Sequence, residues 1–294
     1  GIFHRTGDSS QKKIEQELDA IGITEHQRVD GIGVCAVLRG EKPGERVMAL
    51  RADIDALAIE ENHPDLDYCS EQPGVMHACG HDGHTAALLG GARLLYAHRA
   101  DFGGEVRFFF QHAEEVGWGG KQFVKAGLCE GAGRVFGIHM APDLPLGKVG
   151  VTPGPNNASV DHFTVRIQGR AAHVSTPHMG GPAGYSAGQI LGALQRLVCR
   201  RTSRIDPVIL GVGKMSAGTS YNIVAESALL EGTTRTFSAD TRVWVNGEID
   251  RVCMETAKLY GGEATVEWED FTCPLVNPSE LCPEAAGVVA KVLG

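Results

Sequence analysis

The chain has no surplus of positive charge: 27 lysines and arginines face 36 aspartates and glutamates, a formal net charge of −9 over 294 residues. Nucleic acid is argued against, because its binding needs a basic surface that releases counterions. An anionic membrane would repel the chain as well. No apolar run is long enough to span a bilayer, and none has the pattern of a signal peptide. No CxxC pair occurs, so neither a zinc ribbon nor a thioredoxin-type redox motif is supported. The eight cysteines (35, 69, 79, 129, 199, 253, 273 and 282) are widely scattered. Cys79 apart, they read as reduced thiols serving as small apolar residues. Internal repeats and low-complexity tracts are absent too. What is left is a chain expected in the cytoplasm, with 43% hydrophobic and 21% charged residues. Such a composition builds a sizeable core in one large domain or two ordinary ones.

The first half alternates between strand-like and helix-like patterns. Ile14, Leu18 and Ile21 give 11–21 one buried helical face. Short apolar or β-branched runs at 33–38, 46–50, 105–110 and 135–138 predict strands of a buried sheet. A helix is expected over 85–98. Near Thr152–Asn157 a Pro/Gly/Asn segment reads as a linker. Beyond it the order is strand (160–167), helix (185–200), strands (208–214 and 226–234), helix (241–260) and strand (264–269). This is the ferredoxin-like β-α-β-β-α-β pattern. A last helix is expected at 283–293.

The densest chemistry lies in His77-Ala78-Cys79-Gly80-His81-Asp82-Gly83-His84. Imidazole and thiolate bind zinc-like divalent ions, and carboxylate suits these and harder ones. Cys79 and His81, two residues apart on a glycine-containing loop, can face one site, while His77 and His84 could be groups that orient the ligands. Glu114-Glu115 follows the apolar strand ending near Phe110, and adjacent carboxylates point different ways. One can bind metal while the other takes a proton from water. His139 is similarly placed after 135–138. Asp53 and Asp55 follow 46–50, as ligands, orienting groups or salt-bridge residues; spacing alone leaves this open. The metal candidates therefore gather where open α/β sheets place their sites. His112-Ala113-Glu114 also matches the H-x-E of zinc nucleobase deaminases, but no P-C-x-x-C follows to complete that site. In the second half, His173, Asn222 and Arg235 read from spacing alone as ordinary strand-surface groups, although arginine and asparagine together can grip a carboxylate.

Leu50–Leu57, Met76–Ala86, Gln111–Glu115 and Gly137–Pro142 occur together and in order. Ala172-His173, Thr176-Pro177-His178, Tyr221-Asn222 and Gly232–Phe237 follow. In these motifs the chain resembles the aminoacylase-like metallopeptidases, in the branch of hippurate hydrolase, N-acyl-amino-acid amidohydrolases and indole-acetyl-amino-acid hydrolases. The resemblance implies an α/β catalytic domain, a mixed sheet flanked by helices, into which a ferredoxin-like α+β dimerisation domain is inserted. The expected division is 1–155 for the first part of the catalytic domain, 156–269 for the inserted lid, and 270–294 for the start of a return.

It further implies two divalent metal ions (manganese, zinc, cobalt or nickel) on Cys79, His81, Glu115 and His139. Glu114 would be the base that activates water and then the acid that protonates the leaving amine. His173 would help hold the oxyanion, and Asn222 and Arg235 would bind the carboxylate of an N-acyl-amino acid. A homodimer through the inserted domain is expected. Two departures stand out. The family commonly has proline where His112 stands, and its members continue for about a hundred residues, the range of a small domain, with a final histidine ligand. The chain is thus expected to be a partial product or a truncated paralogue. The contrasting class is a non-catalytic family member that dimerises or binds metal or ligand.

Overall fold

The computed structural model describes residues 8–63 and 65–293, which form two compact units, Gly1–Asp143 and Leu144–Gly294. In the first, helix α1 (Asp8–Ile21) buries Ile14 and Leu18, one turn apart on one face. Strands β1 (His26–Val29), β2 (Gly33–Arg39) and β3 (Lys42–Asp53) follow. Then come α2 (His81–Ala97), β4 (Gly103–Gln111), α3 (Gly119–Lys125) and β5 (Ala132–Gly137). The five strands form one mixed sheet in the order β1-β2-β4-β3-β5. β3 is parallel to both β4 and β5, while β2 is antiparallel to β1 and β4.

Burial on both faces explains why β2 and β4 read as continuous apolar runs. One face places Val34, Ala36, Phe108 and Phe110 against Ile14 and Leu18 of α1 and Leu88 and Ala92 of α2. The other places Cys35, Ala49 and Phe109 against Phe123 of α3. Phe108 and Phe110 are fully buried, and truncating either to alanine would cost about 3–5 kcal/mol.

The second unit contains β6 (Gly154–Asn157), β7 (Val160–Gln168), β8 (Ala172–His173) and α4 (Ala183–Arg201). β9 (Val208–Ala217), β10 (Ile223–Val224), β11 (Ser227–Thr236) and α5 (Ala239–Leu259) come next, then β12 (Glu263–Thr272), β13 (Leu275–Asn277) and α6 (Cys282–Leu293). The main sheet is antiparallel in the order β12-β7-β11-β9. With α4 and α5 between its strands, this is the ferredoxin-like arrangement. Alternate residues Phe163, Val165 and Ile167 of β7 turn inward and meet Ile190 and Leu194 of α4 and Val245, Ile249 and Cys253 of α5.

Two local expectations change, and two short strands, β8 and β1, add to the expected set. α2 begins at His81, inside the His/Cys cluster rather than after it, because Asp82 favours a helical first turn and Gly80 supplies the left-handed residue before it. The segment expected as a linker contains β6, which pairs with β13. The alternating strand ends at Gln168, so that His173 belongs to the separate β8, paired with β10. β1, too polar to read as a strand, exists through its pairing with β2.

Candidate metal centre

Three neighbouring parallel strands set the site. β3 ends at Asp53, β4 at Gln111 and β5 at Gly137; Asp53 stands opposite Gln111, and Arg51 opposite Gly137. The segments leaving these strands emerge side by side and carry Asp55, Glu114-Glu115 and His139, at the carboxyl ends where α/β sheets bind ligands. α2 adds His81 and His84 from its first turn. A spacing of three puts both imidazoles on one helical face, and each is only 1% exposed.

Three groups of potential ligand atoms share His81, and two of them contain the candidate ligands. Cys79, His81 and His139 offer atoms all within 4.8 Å of one another, and so do His81, Glu114 and Glu115. Cys79 Sγ lies 3.4 Å from His139 Nε2. His81 Nε2 lies 3.7 Å from Glu115 Oε1. Both of these last atoms are buried and have no hydrogen-bond partner. A buried acceptor pair left unsatisfied costs stability unless something else fills the space between them. A divalent cation fits that space and that mixed N/O/S donor set.

The surrounding groups fix the tautomers. His81 Nδ1 donates to the Asp55 carbonyl at 2.9 Å, so Nε2 presents its lone pair. His84 also lies within reach of His81 and Asp53, but both its nitrogens are engaged. Its Nε2 accepts the Met140 N–H at 2.7 Å, which places the ring proton on Nδ1, donated to Asp53 Oδ1 at 2.6 Å. Asp53 Oδ2 takes Arg51 at 2.7 Å. Where spacing left Asp53, Asp55 and His84 open, these contacts make them groups that aim their neighbours. His84 in particular ties the His139-Met140 segment to β3. His77 is partly buried, and burial lowers its pKa against the nearby Asp82 and Asp55 carboxylates.

The electrostatics follow from burial among carboxylates. Burial pushes the Glu114 carboxyl up, the nearby Glu115 and Asp53 adding to it against the pull of Arg51. Burial also opposes ionisation of Asp55, but the His81 imidazole and the N–H groups of Glu115 and Glu114 outweigh it and hold its carboxyl low. Asp53 is likewise low: the Arg51 charge and the His84 bond overcome burial. His81 is raised, since Asp55 and Asp53 outweigh burial. Burial, reinforced by Glu115, pushes the Cys79 thiol up to about 11. A thiol in this setting ionises only with a cation to replace its proton.

The remaining three residues singled out in the sequence lie in the second unit. His173 is exposed on β8, its Nδ1 2.7 Å from Ser175 Oγ. The Asn222 carbonyl accepts the N–H of Val174 at 3.1 Å, so His173 and Asn222 are neighbours on the two-stranded ladder. Arg235, on β11 opposite Ile209, is half-buried and donates to the Thr233 hydroxyl and, at 2.9 Å, to the Thr234 carbonyl. Sequence reasoning missed Asp30 and Trp118, which meet each other and His112 beside the glutamates; only the turn-forming Asp30-Gly31 pair hinted at the place.

A carboxylate–imidazole–thiol cluster at the carboxyl ends of parallel strands, buried at His81, half-buried at Cys79 and Glu115 and exposed at His139, with an adjacent carboxylate of raised pKa, defines a site of the metal-dependent hydrolase class. Residues 49–294 match the family described as Peptidase family M20/M25/M40. N-acetylcysteine deacetylase of Bacillus subtilis is 39% identical over 260 residues, 88% of this chain and 68% of that protein. An N-acyl-L-amino acid amidohydrolase of Geobacillus stearothermophilus is 38% identical over 275 residues, 93% of this chain and 74% of that one. The crystal structure of the Bacillus subtilis YXEP protein, a dinuclear metal binding peptidase from the M20 family, superposes with a TM-score of 0.83 at 37% identity. That match covers 97% of this chain and 74% of that one. The chain belongs to the M20/M25/M40 peptidase family, and it spans roughly two thirds to three quarters of the length of these relatives.

Proposed function

We propose that the chain carries the active site of a metal-dependent amidohydrolase that cleaves N-acyl-amino acids to a carboxylic acid and a free amino acid. The observation that carries this reading is the pair of buried, unpartnered atoms His81 Nε2 and Glu115 Oε1, 3.7 Å apart, with Glu114 beside them. Cys79, His81, Glu115 and His139 would hold two divalent ions, whether manganese, zinc, cobalt or nickel. When bound, the ions supply the Lewis acid that polarises the scissile carbonyl and acidifies water. Glu114 takes the proton of the attacking water and returns it to the leaving amine. Its raised pKa suits both halves of that exchange, since a carboxylate that burial makes more basic takes a proton more readily and can return it later.

His173 would help hold the oxyanion, and Asn222 and Arg235 would bind the free carboxylate of the substrate. The exposed position of His173 and the donor-only chemistry of the guanidinium support these roles. The region 156–269 would act as lid and homodimer surface, in a protein of the cytoplasm. The names of the two relatives above support N-acetyl and other N-acyl-amino acids as substrates, and indole-acetyl and benzoyl conjugates belong to the same chemical class.

The test is release of free amino acid from N-acetyl, N-benzoyl and indole-acetyl amino acids by this chain with manganese or zinc added. Turnover abolished by chelator is expected. Absence of turnover from a folded, metal-loaded chain would overturn the reading and favour a metal- or ligand-binding role.

A further inference from the structure

We propose that His112, Asp30 and Trp118 form a clasp, outside the metal cluster, that sets the position of the turn bearing Glu114 and Glu115. This inference rests on the reading of Glu114 as base and Glu115 as ligand. The turn needs such a device. Ala113, fully buried, has φ +49, a left-handed conformation that a residue with a side chain keeps only where its surroundings impose it. The turn closes on itself through Gly117 N–H to the Glu114 carbonyl at 2.8 Å and Trp118 N–H to the Ala113 carbonyl at 3.1 Å.

What imposes the conformation lies at its two feet. Before the turn, the buried His112 ring places Nε2 3.3 Å from Asp30 Oδ2. After it, Trp118 Nε1 donates to the same oxygen at 2.8 Å. One carboxylate oxygen, on the tight connection between β1 and β2, thus bridges the residues that flank 113–117. The space is cut to fit. A Cβ at position 33 would come 2.7 Å from His112 Nδ1, and one at position 119 would come 1.7 Å from the His112 carbonyl oxygen; glycine stands at both. His112 is therefore a positioning residue. It belongs to none of the groups of candidate ligand atoms, and acts through where it holds Glu114 and Glu115.

The test compares the wild-type chain with His112→Ala, Asp30→Ala, their combination and His112→Gln, whose amide N–H can take the place of Nε2–H. Three quantities are read: kcat and KM for an N-acyl-amino acid, the manganese or zinc dissociation constant against a competing chelator, and Trp118 emission of the metal-free chain. Each alanine variant is expected to lose about 10–100-fold in kcat, corrected for the folded fraction, with KM within about twofold. Metal binding should weaken by about tenfold. The double variant should lose little more than either single one, because both cut the same link. His112→Gln should recover most of the loss, and Trp118 emission should change in Asp30→Ala and His112→Ala alike. Unchanged kcat and metal affinity in Asp30→Ala would overturn the clasp, as would additive losses in the double variant. If the wild-type chain binds metal but turns over no substrate, the proposed function fails while metal affinity and Trp118 emission still judge the clasp. If it binds no metal, both fall.

Discussion

The two units treat buried polar groups in opposite ways. In the second, every buried polar side chain among the described residues has a partner. Ser159 Oγ meets Thr236 Oγ1 at 2.8 Å, Ser186 Oγ donates to the Pro182 carbonyl at 3.1 Å, and Asp161 takes both Nε and an amino group of Arg242 at 2.7 and 2.5 Å. In the first, Asp55 Oδ1, His77 Nδ1, His81 Nε2 and Glu115 Oε1 are buried without a hydrogen-bond partner. Both units fold on apolar cores of the same kind. The difference lies in purpose: satisfied polar groups hold a scaffold together, while unsatisfied ones gathered at one edge of a sheet are held ready for something that binds there.

The contrast is tested most severely at Glu114. Glu114→Gln keeps the shape and removes the proposed base, so kcat should fall by about 10²–10⁴-fold while metal stoichiometry stays the same. If that variant still hydrolyses substrate, Glu114 is not the base. The counterpart in the second unit is Asp161→Ala, which removes the two charge-assisted hydrogen bonds between Asp161 and the mostly buried Arg242 guanidinium and should cost about 1.5–3 kcal/mol of stability. Chemical denaturation followed through Trp244 and Trp268, both in the second unit, measures it. A loss under about 1 kcal/mol would mean that the pair behaves like an exposed one and that this scaffold is wetter than its geometry implies.

A smaller effect is expected at His84, which is satisfied yet belongs to the site. Its ring links Asp53 to the Met140 N–H and so fixes the segment carrying His139. His84→Ala should weaken metal binding by about 10–100-fold, read by competition with a chelator. Affinity equal to that of the wild-type chain would show that β5 alone positions His139.

Much of this contrast could be read from residues in order, and the reasons for the exceptions are physical. The periodicity of Phe163, Val165 and Ile167 and the helical spacing of Ile14 and Leu18 are local signals, and both elements form where expected. The cluster of candidate ligands and base was legible because Cys79 and His81 are dense in sequence and because Glu114, Glu115 and His139 each follow an apolar strand. β1 was not, since His26-Gln27-Arg28 has no apolar pattern and gains its structure from pairing with β2. The start of α2 was obscured for a related reason. Helix content shows in alanine and leucine, whereas its first turn here is His81-Asp82-Gly83-His84, residues spent on the site. The Asp30–Trp118 bond joins positions 88 apart in the chain; no local pattern encodes a contact at that separation.

The finest test compares the dryness of the two cores through one buried thiol in each. Burial pushes Cys253, packed between α5 and its sheet, up to about 12, with Asp250 adding to it. Burial pushes Cys35 on β2 up to about 11, the nearby Arg107 opposing. In the unfolded chain either thiol ionises near its ordinary value, so the unfolded state loses its proton first. The stability each neutral thiol contributes is complete below pH 9. It falls as pH rises towards the folded value, by about 1.4 kcal/mol per unit at its steepest. The window is about two units wide for Cys35 and about three for Cys253. Cys253→Ala removes that slope from the second unit. Its stability deficit relative to the wild-type chain should therefore narrow by about 1 kcal/mol between pH 9 and 10. Cys35→Ala, followed through Trp118, should show the same narrowing but stop earlier, near pH 11. A deficit constant with pH in the Cys253 variant would mean that the folded thiol ionises as freely as the unfolded one. The core under α4 and α5 would then admit water, and the dryness that sets the second unit apart from the first would be lost.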